Sequence, residues 1–215
     1  MQQVSVERVG YSRSEYLSDV VVHILGLAVV LACVPVLIVL AAIDGNGMAP
    51  ISASVLYGCC LIAMITCSAV YNVFPHPEWE WLLKRLDHSA IYLKIAGSVT
   101  AFALIAGQGF LLVTGLWLAA GFGIVLKLIS PFKFRWLGLT LYLGMGWATS
   151  FFGWELFMAL PNAVVWLIGI SGLLYTVGVA FYLWERLPYH NTIWHAHVLV
   201  ASVVLYAANV VAISA

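Results

Sequence analysis

Seven apolar stretches, each near the length of a membrane-crossing helix, constrain this chain more than any other feature. A helix needs about 20 predominantly apolar residues to cross a hydrocarbon core roughly 30 Å thick. Such stretches run over approximately 20–43, 51–74, 87–106, 110–127, 136–152, 162–184 and 191–213. Turn formers and interfacial residues separate them: Asp44-Gly45-Asn46-Gly47, Pro75-His76-Pro77, Gly107-Gln108-Gly109, Ser130-Pro131, Pro161-Asn162 and Pro188. Only 8% of the residues are charged, against about 25% in soluble domains. The runs are continuously apolar rather than alternating, which disfavours a barrel, and open strands would leave backbone groups unpaired in lipid. The expectation is an all-α polytopic membrane protein, a seven-transmembrane helix bundle. It forms one domain over 20–215, preceded by a cytoplasmic segment over 1–19. That segment is polar and mixed in charge, and the run after it exceeds the about 7–15 residues of a signal-peptide core, so a retained span is expected.

Basic residues set the orientation. Arg8 and Arg13 precede the first span, Lys84 and Arg85 follow the second, Lys127, Lys133 and Arg135 follow the fourth, and Arg186 follows the sixth. The alternate connections, around Asp44, Gln108 and Glu155, carry no Lys or Arg. Cytoplasmic loops are the ones enriched in these residues. The N-terminus is therefore expected in the cytoplasm and, with seven spans, the C-terminus outside, in the cytoplasmic membrane. The zero net charge gives no reason to expect a nucleic-acid partner; membrane lipids are the expected partners. Cys33, Cys59, Cys60 and Cys67 lie in apolar runs without metal-type spacing and read as small packing residues.

Ionisable groups inside spans are costly and usually mark a site. With this orientation, Ser68, Asn72, Asp87, Asn191 and His195 come to one layer near the cytoplasmic face, with Lys94 about 10 Å deeper than Asp87. Ser68 and Asn72 are four apart, as are Asn191 and His195, so each pair shares a helix face. The expected geometry is a cytoplasm-facing cavity lined by Ser68, Asn72, Asp87, Lys94 and His195, with Asp87 and Lys94 forming a charge pair. The competing reading is a solvated collar at the helix ends, and His23, His88, His190 and His197, taken singly, fit that collar better.

The residues also fall in strings that resemble the hemolysin III family. These are Glu15-Tyr16-Leu17-Ser18-Asp19-Val20-Val21-Val22-His23, Ser68-Ala69-Val70-Tyr71-Asn72, Leu86-Asp87-His88-Ser89-Ala90-Ile91-Tyr92, Leu173-Leu174-Tyr175-Thr176-Val177-Gly178 and Pro188-Tyr189-His190-Asn191-Thr192-Ile193-Trp194-His195. The likeness runs in order along essentially the whole chain. It implies the seven-helix fold of progestin and adipoQ receptors, related to alkaline ceramidases. It also implies a zinc site from one histidine in the second span and an HxxxH pair in the seventh, beside a serine and an aspartate. Ser68 and Asp87 match the serine and aspartate. Asn72 and Asn191 stand where two of the histidines belong, so His195 is the one retained family ligand.

The favoured expectation is thus a membrane protein of lipid homeostasis or sensing, lacking the full zinc triad and with no resident cofactor. The alternative is a zinc-dependent lipid amide hydrolase, with Ser68 and Asp87 as candidate catalytic residues: Asp87 as base, Ser68 or Lys94 steadying the oxyanion. A cytolytic protein ranks third, because the sequence offers no pore-forming amphipathic hairpin.

Overall fold

Apolar runs that must satisfy their own backbone groups have the helix as their local solution, and the helices of this chain follow the runs. The structure, a computed structural model, describes residues 12–74, 77–130 and 133–215. Residues 1–11, including Arg8, lie outside the described residues, as do Pro75 and His76 of the second break and Pro131 of the fourth. Among the described residues every regular element is a helix: α1 (Arg13–Ile43), α2 (Met48–Val73), α3 (Glu80–Ala106), α4 (Phe110–Ile129), α5 (Arg135–Phe152), α6 (Trp154–Ala159), α7 (Asn162–Leu183) and α8 (His190–Ile213). Six of them (α1 to α4, α7 and α8) are long and apolar enough to cross a membrane. The stretch expected as the fifth span is helical, as α5, but its 18 residues open on Arg135 and include Thr140, Thr149 and Ser150, which lowers its hydropathy below that of the six.

Helix α1 starts about two turns before its apolar run, inside the segment expected to precede the domain. A capping box explains the early start. Ser12 Oγ accepts from the Glu15 amide at 3.2 Å, and the Glu15 carboxylate accepts from the Ser12 amide at 2.9 Å. Glu15 also accepts from the backbone N–H of Tyr189 at 2.9 Å. Tyr189 sits in the left-handed region at φ 61° and precedes α8, so one carboxylate ties the starts of both helices. Ser12→Ala should cost about 1 kcal/mol, read as a lowered unfolding midpoint in detergent. Glu15→Ala should cost more, because it removes both links.

Contacts fix the helix directions. Glu15 meets Tyr189, Ser18 meets Thr192 at 2.9 Å, and Cys33 O accepts from the Tyr206 hydroxyl at 3.0 Å. Sequence numbers rise together, so α1 and α8 run parallel. Tyr92 of α3 and Tyr142 of α5 stack with ring centroids 4.3 Å apart, and each hydroxyl reaches back to the other helix at Gly138 O or His88 O. Long helical side chains lean toward their own N-terminus, so this reciprocal pattern makes α3 and α5 parallel. Arg135 to Glu185 and Trp147 to Thr176 make α5 antiparallel to α7.

Helix α3 is the most enclosed. Its buried face carries Ala90, Ala96, Gly97, Ala101 and Ala103, small residues that let neighbouring backbones come close where lipid supplies no hydrophobic drive. The outward faces carry exposed Leu25, Leu111, Leu118 and Trp166, as expected where the solvent is acyl chain.

Candidate functional site

The starts of α1, α3, α5 and α8 and the ends of α2, α4 and α7 share one face of the bundle. Behind that face lies a cavity of about 640 Å³. All six residues singled out from the sequence line it: Ser68, Asn72, Asp87, Lys94, Asn191 and His195. His23, His88 and His190 line it as well, although each was assigned to a solvated collar. His197 does not: its Nδ1 meets the Ile193 carbonyl at 2.8 Å and its ring packs 5.1 Å from Phe181.

Beside the cavity, α1 contributes to a polar cluster. Asp19 and His23, four residues apart on one helix face, are 4% and 5% exposed. His195 Nδ1 lies 2.6 Å from Asp19 Oδ1. His23 Nδ1 lies 2.8 Å from the Asp19 carbonyl and 3.7 Å from its carboxylate, and the two imidazole rings meet edge to face at 4.4 Å. On the far side, His23 Nε2 lies 3.2 Å from Ser68 Oγ and 3.5 Å from Asn72 Nδ2. The Asn72 amide donates to the Ser68 carbonyl at 2.9 Å. A buried carboxylate is tolerated only when paired and hydrogen-bonded, and the His195 imidazole provides a hydrogen bond here.

Asp19 and His23 are the residues that the sequence reading missed as a pair. Their i,i+4 spacing is the signal that linked Ser68 to Asn72 and Asn191 to His195. It was lost because the domain was started at residue 20, which left Asp19 outside the first span.

Lys94 is 3% exposed, with its ammonium 4.8 Å from the Tyr175 ring centroid. That seat on an aromatic face suits a buried ammonium, because a ring quadrupole attracts a desolvated cation.

The mouth is cationic. Lys84, Lys127 and Arg135 line it together with Glu185. Arg135 pairs with Glu185 at 2.6 Å and lies 5.3 Å from the Tyr182 ring centroid. Lys127, 3% exposed, lies 5.9 Å from the Tyr142 ring centroid. The rest of the lining is largely apolar, with Ile95, Leu143, Ile168 and Val198 among its residues.

The zinc set that the family resemblance implies does not fit these residues. Two carboxamides, Asn72 and Asn191, stand in place of imidazoles, and the Asn72 amide nitrogen is committed to Ser68. Amides are weak zinc ligands beside imidazole or thiolate.

Several long apolar helices around an enclosed polar layer define an integral membrane protein of the polytopic helical class. Residues 12–206 match the family described as "Haemolysin-III related", and the chain belongs to that family. It is 31% identical over 199 residues to a protein named "Hemolysin-3 homolog" from Bacillus subtilis (strain 168), covering 91% of this chain and 93% of the relative. It is 33% identical over 195 residues to "Hemolysin-3" of Bacillus cereus, covering 89% of each.

Proposed function

We propose that this protein binds inner-leaflet phospholipid in the cavity and so senses or adjusts the state of the cytoplasmic membrane, without the full zinc triad of its family. One observation carries the reading: a single cavity is lined by basic, apolar and uncharged polar residues together. Lys84, Lys127 and Arg135 suit a headgroup phosphate, for which Lys and Arg are the usual binders. The apolar walls suit an acyl chain.

The reading takes α5 as the seventh span, with the C-terminus outside. Parity supports it: α1 and α8 run parallel, so an odd number of crossings must separate inside from outside. At about 1.5 Å per residue its 18 residues reach about 27 Å, close to the hydrocarbon thickness.

The test is equilibrium binding of labelled phosphatidylglycerol and phosphatidylcholine to detergent-purified protein. Wild type should prefer the anionic lipid. Each basic group near a membrane surface contributes about 1 kcal/mol, so Lys84→Gln/Lys127→Gln should weaken phosphatidylglycerol binding about 30-fold. Equal affinity of wild type for both lipids would remove the proposal.

A second reading, lipid amide hydrolysis, is favoured by the 3.2 Å approach of Ser68 Oγ to His23 Nε2, where an imidazole could take the hydroxyl proton. Fatty-acid release from an N-acyl sphingolipid in reconstituted vesicles, abolished by Ser68→Ala, would establish it. No release above protein-free vesicles would exclude it for that substrate.

A further inference from the structure

We propose that Asp19, His23 and His195 form a binding site for a divalent first-row transition ion, zinc by its donor chemistry, beside the cavity that His23 and His195 line. Each residue offers one ligand atom, and these atoms all lie within 4.8 Å of one another. The donor set is two imidazole nitrogens and one carboxylate oxygen, a combination that holds zinc with a fourth position left open. It differs from the family set implied by the sequence in two of three ligands. His195 is shared, and the two partners come from α1 rather than from α2 and the start of α8.

The distances decide whether an ion can be accommodated. Zn–N and Zn–O bonds near 2.0–2.2 Å place tetrahedral ligand atoms roughly 3.4 Å apart. His23 Nδ1 and Asp19 Oδ1 stand 3.7 Å apart, already near that value, and the Nδ1 proton that faces the Asp19 carbonyl at 2.8 Å must move to Nε2 for the ion to bind. His195 Nδ1 and Asp19 Oδ1 stand 2.6 Å apart, a separation at which a proton bridges them. Opening that pair by less than about 1 Å exchanges a bridging proton for a bridging ion. The surroundings are suited to holding the ligands in place. Asp19 and His23 are almost fully buried, and Ser68 Oγ lies 3.2 Å from His23 Nε2, where it can accept from the Nε2–H of a metal-bound ring. Hydrogen bonds of this outer kind orient metal-binding imidazoles.

The loss of two family histidines therefore coincides with a second, displaced ligand set beside the one that remains. Asp19 and His23 sit one helical turn apart on α1, and α1 lies parallel to α8, which brings them to the level of His195. The proposal is independent of phospholipid binding at the mouth: failure of the lysine substitutions leaves these three residues and their geometry unchanged.

The experiment uses full-length protein purified in detergent without a polyhistidine tag, stripped with chelator, equilibrated with zinc chloride and desalted before elemental analysis. Wild type should retain close to one zinc per chain. His23→Gln and Asp19→Asn, near-isosteric changes checked for monodispersity by gel filtration, should each weaken zinc binding at least tenfold. His197→Ala, which alters a histidine outside the cavity, should retain zinc. Cobalt chloride added to stripped wild type should give the intense visible absorption of a four-coordinate nitrogen and oxygen site, and zinc should displace it. This measurement needs no variant and stands even if the substitutions unfold the chain. Wild type that retains no zinc and gives no cobalt spectrum overturns the proposal. So does full zinc retention in a monodisperse His23→Gln.

Discussion

In chelator-treated protein, Asp19→Ala should lower the stability of the bundle by about 1–3 kcal/mol, the usual cost of leaving a buried hydrogen-bonding group without its partner. Two effects combine. The carboxylate is the acceptor for His195 Nδ1, and its loss orphans a ring nitrogen on a mostly buried side chain. The same residue's carbonyl holds His23, so a shift of the α1 backbone disturbs both imidazoles. Denaturant titration in mixed micelles, followed by tryptophan fluorescence, measures the loss. The double variant Asp19→Ala/His195→Ala should cost less than the sum of the single changes, because contacting residues couple. Simple additivity would show that the 2.6 Å contact contributes nothing to stability. Asp19→Asn, which keeps an acceptor oxygen but no charge, should fall between wild type and alanine.

The second large effect is expected at Gly123 of α4. A β-carbon built there would overlap the Tyr92 ring of α3, a residue that is fully buried. Tyr92 cannot yield easily, since it stacks on Tyr142 and lies under Gly138 of α5. Gly123→Leu should therefore separate α3, α4 and α5 and cost about 3 kcal/mol, the upper end for overpacking a filled interior. Gly115 and Gly121 of the same helix have nothing within 4 Å of a β-carbon. Leucine at either should be close to neutral under the same denaturant titration. Equal losses at all three positions would mean that glycine flexibility, rather than helix approach, is the property in use.

The helices were legible because hydrocarbon leaves the chain few alternatives. The run lengths placed five of the helices within a few residues, with α1 and α3 starting about two turns early, and the Lys/Arg asymmetry anticipated a single face on which Lys84, Lys127 and Arg135 gather. Helix α5 was marked by its run, yet its threonines and Arg135 make it the least apolar of the expected spans. The cavity residues were legible for a related reason: polar groups such as Asn72 and Lys94 stand out against an apolar background. What periodicity could not supply was the pairing of helices. Nothing along the chain says that α1 lies beside α8, and without that neighbour Asp19 looks like one more charge before a span.

The parallel contact between the first and last long helices also sets the order in which this protein can mature. The ribosome delivers Asp19 and His23 to the membrane with α1, while His195 follows 176 residues after Asp19. Through most of synthesis a carboxylate and an imidazole stand on a helix whose intended neighbour does not yet exist. Closure of the bundle by the last helix is then the event that brings His195 to Asp19 and completes the cavity lining. A chain truncated before α8 would expose the polar layer to lipid and water together, a defect that a membrane protease can recognise.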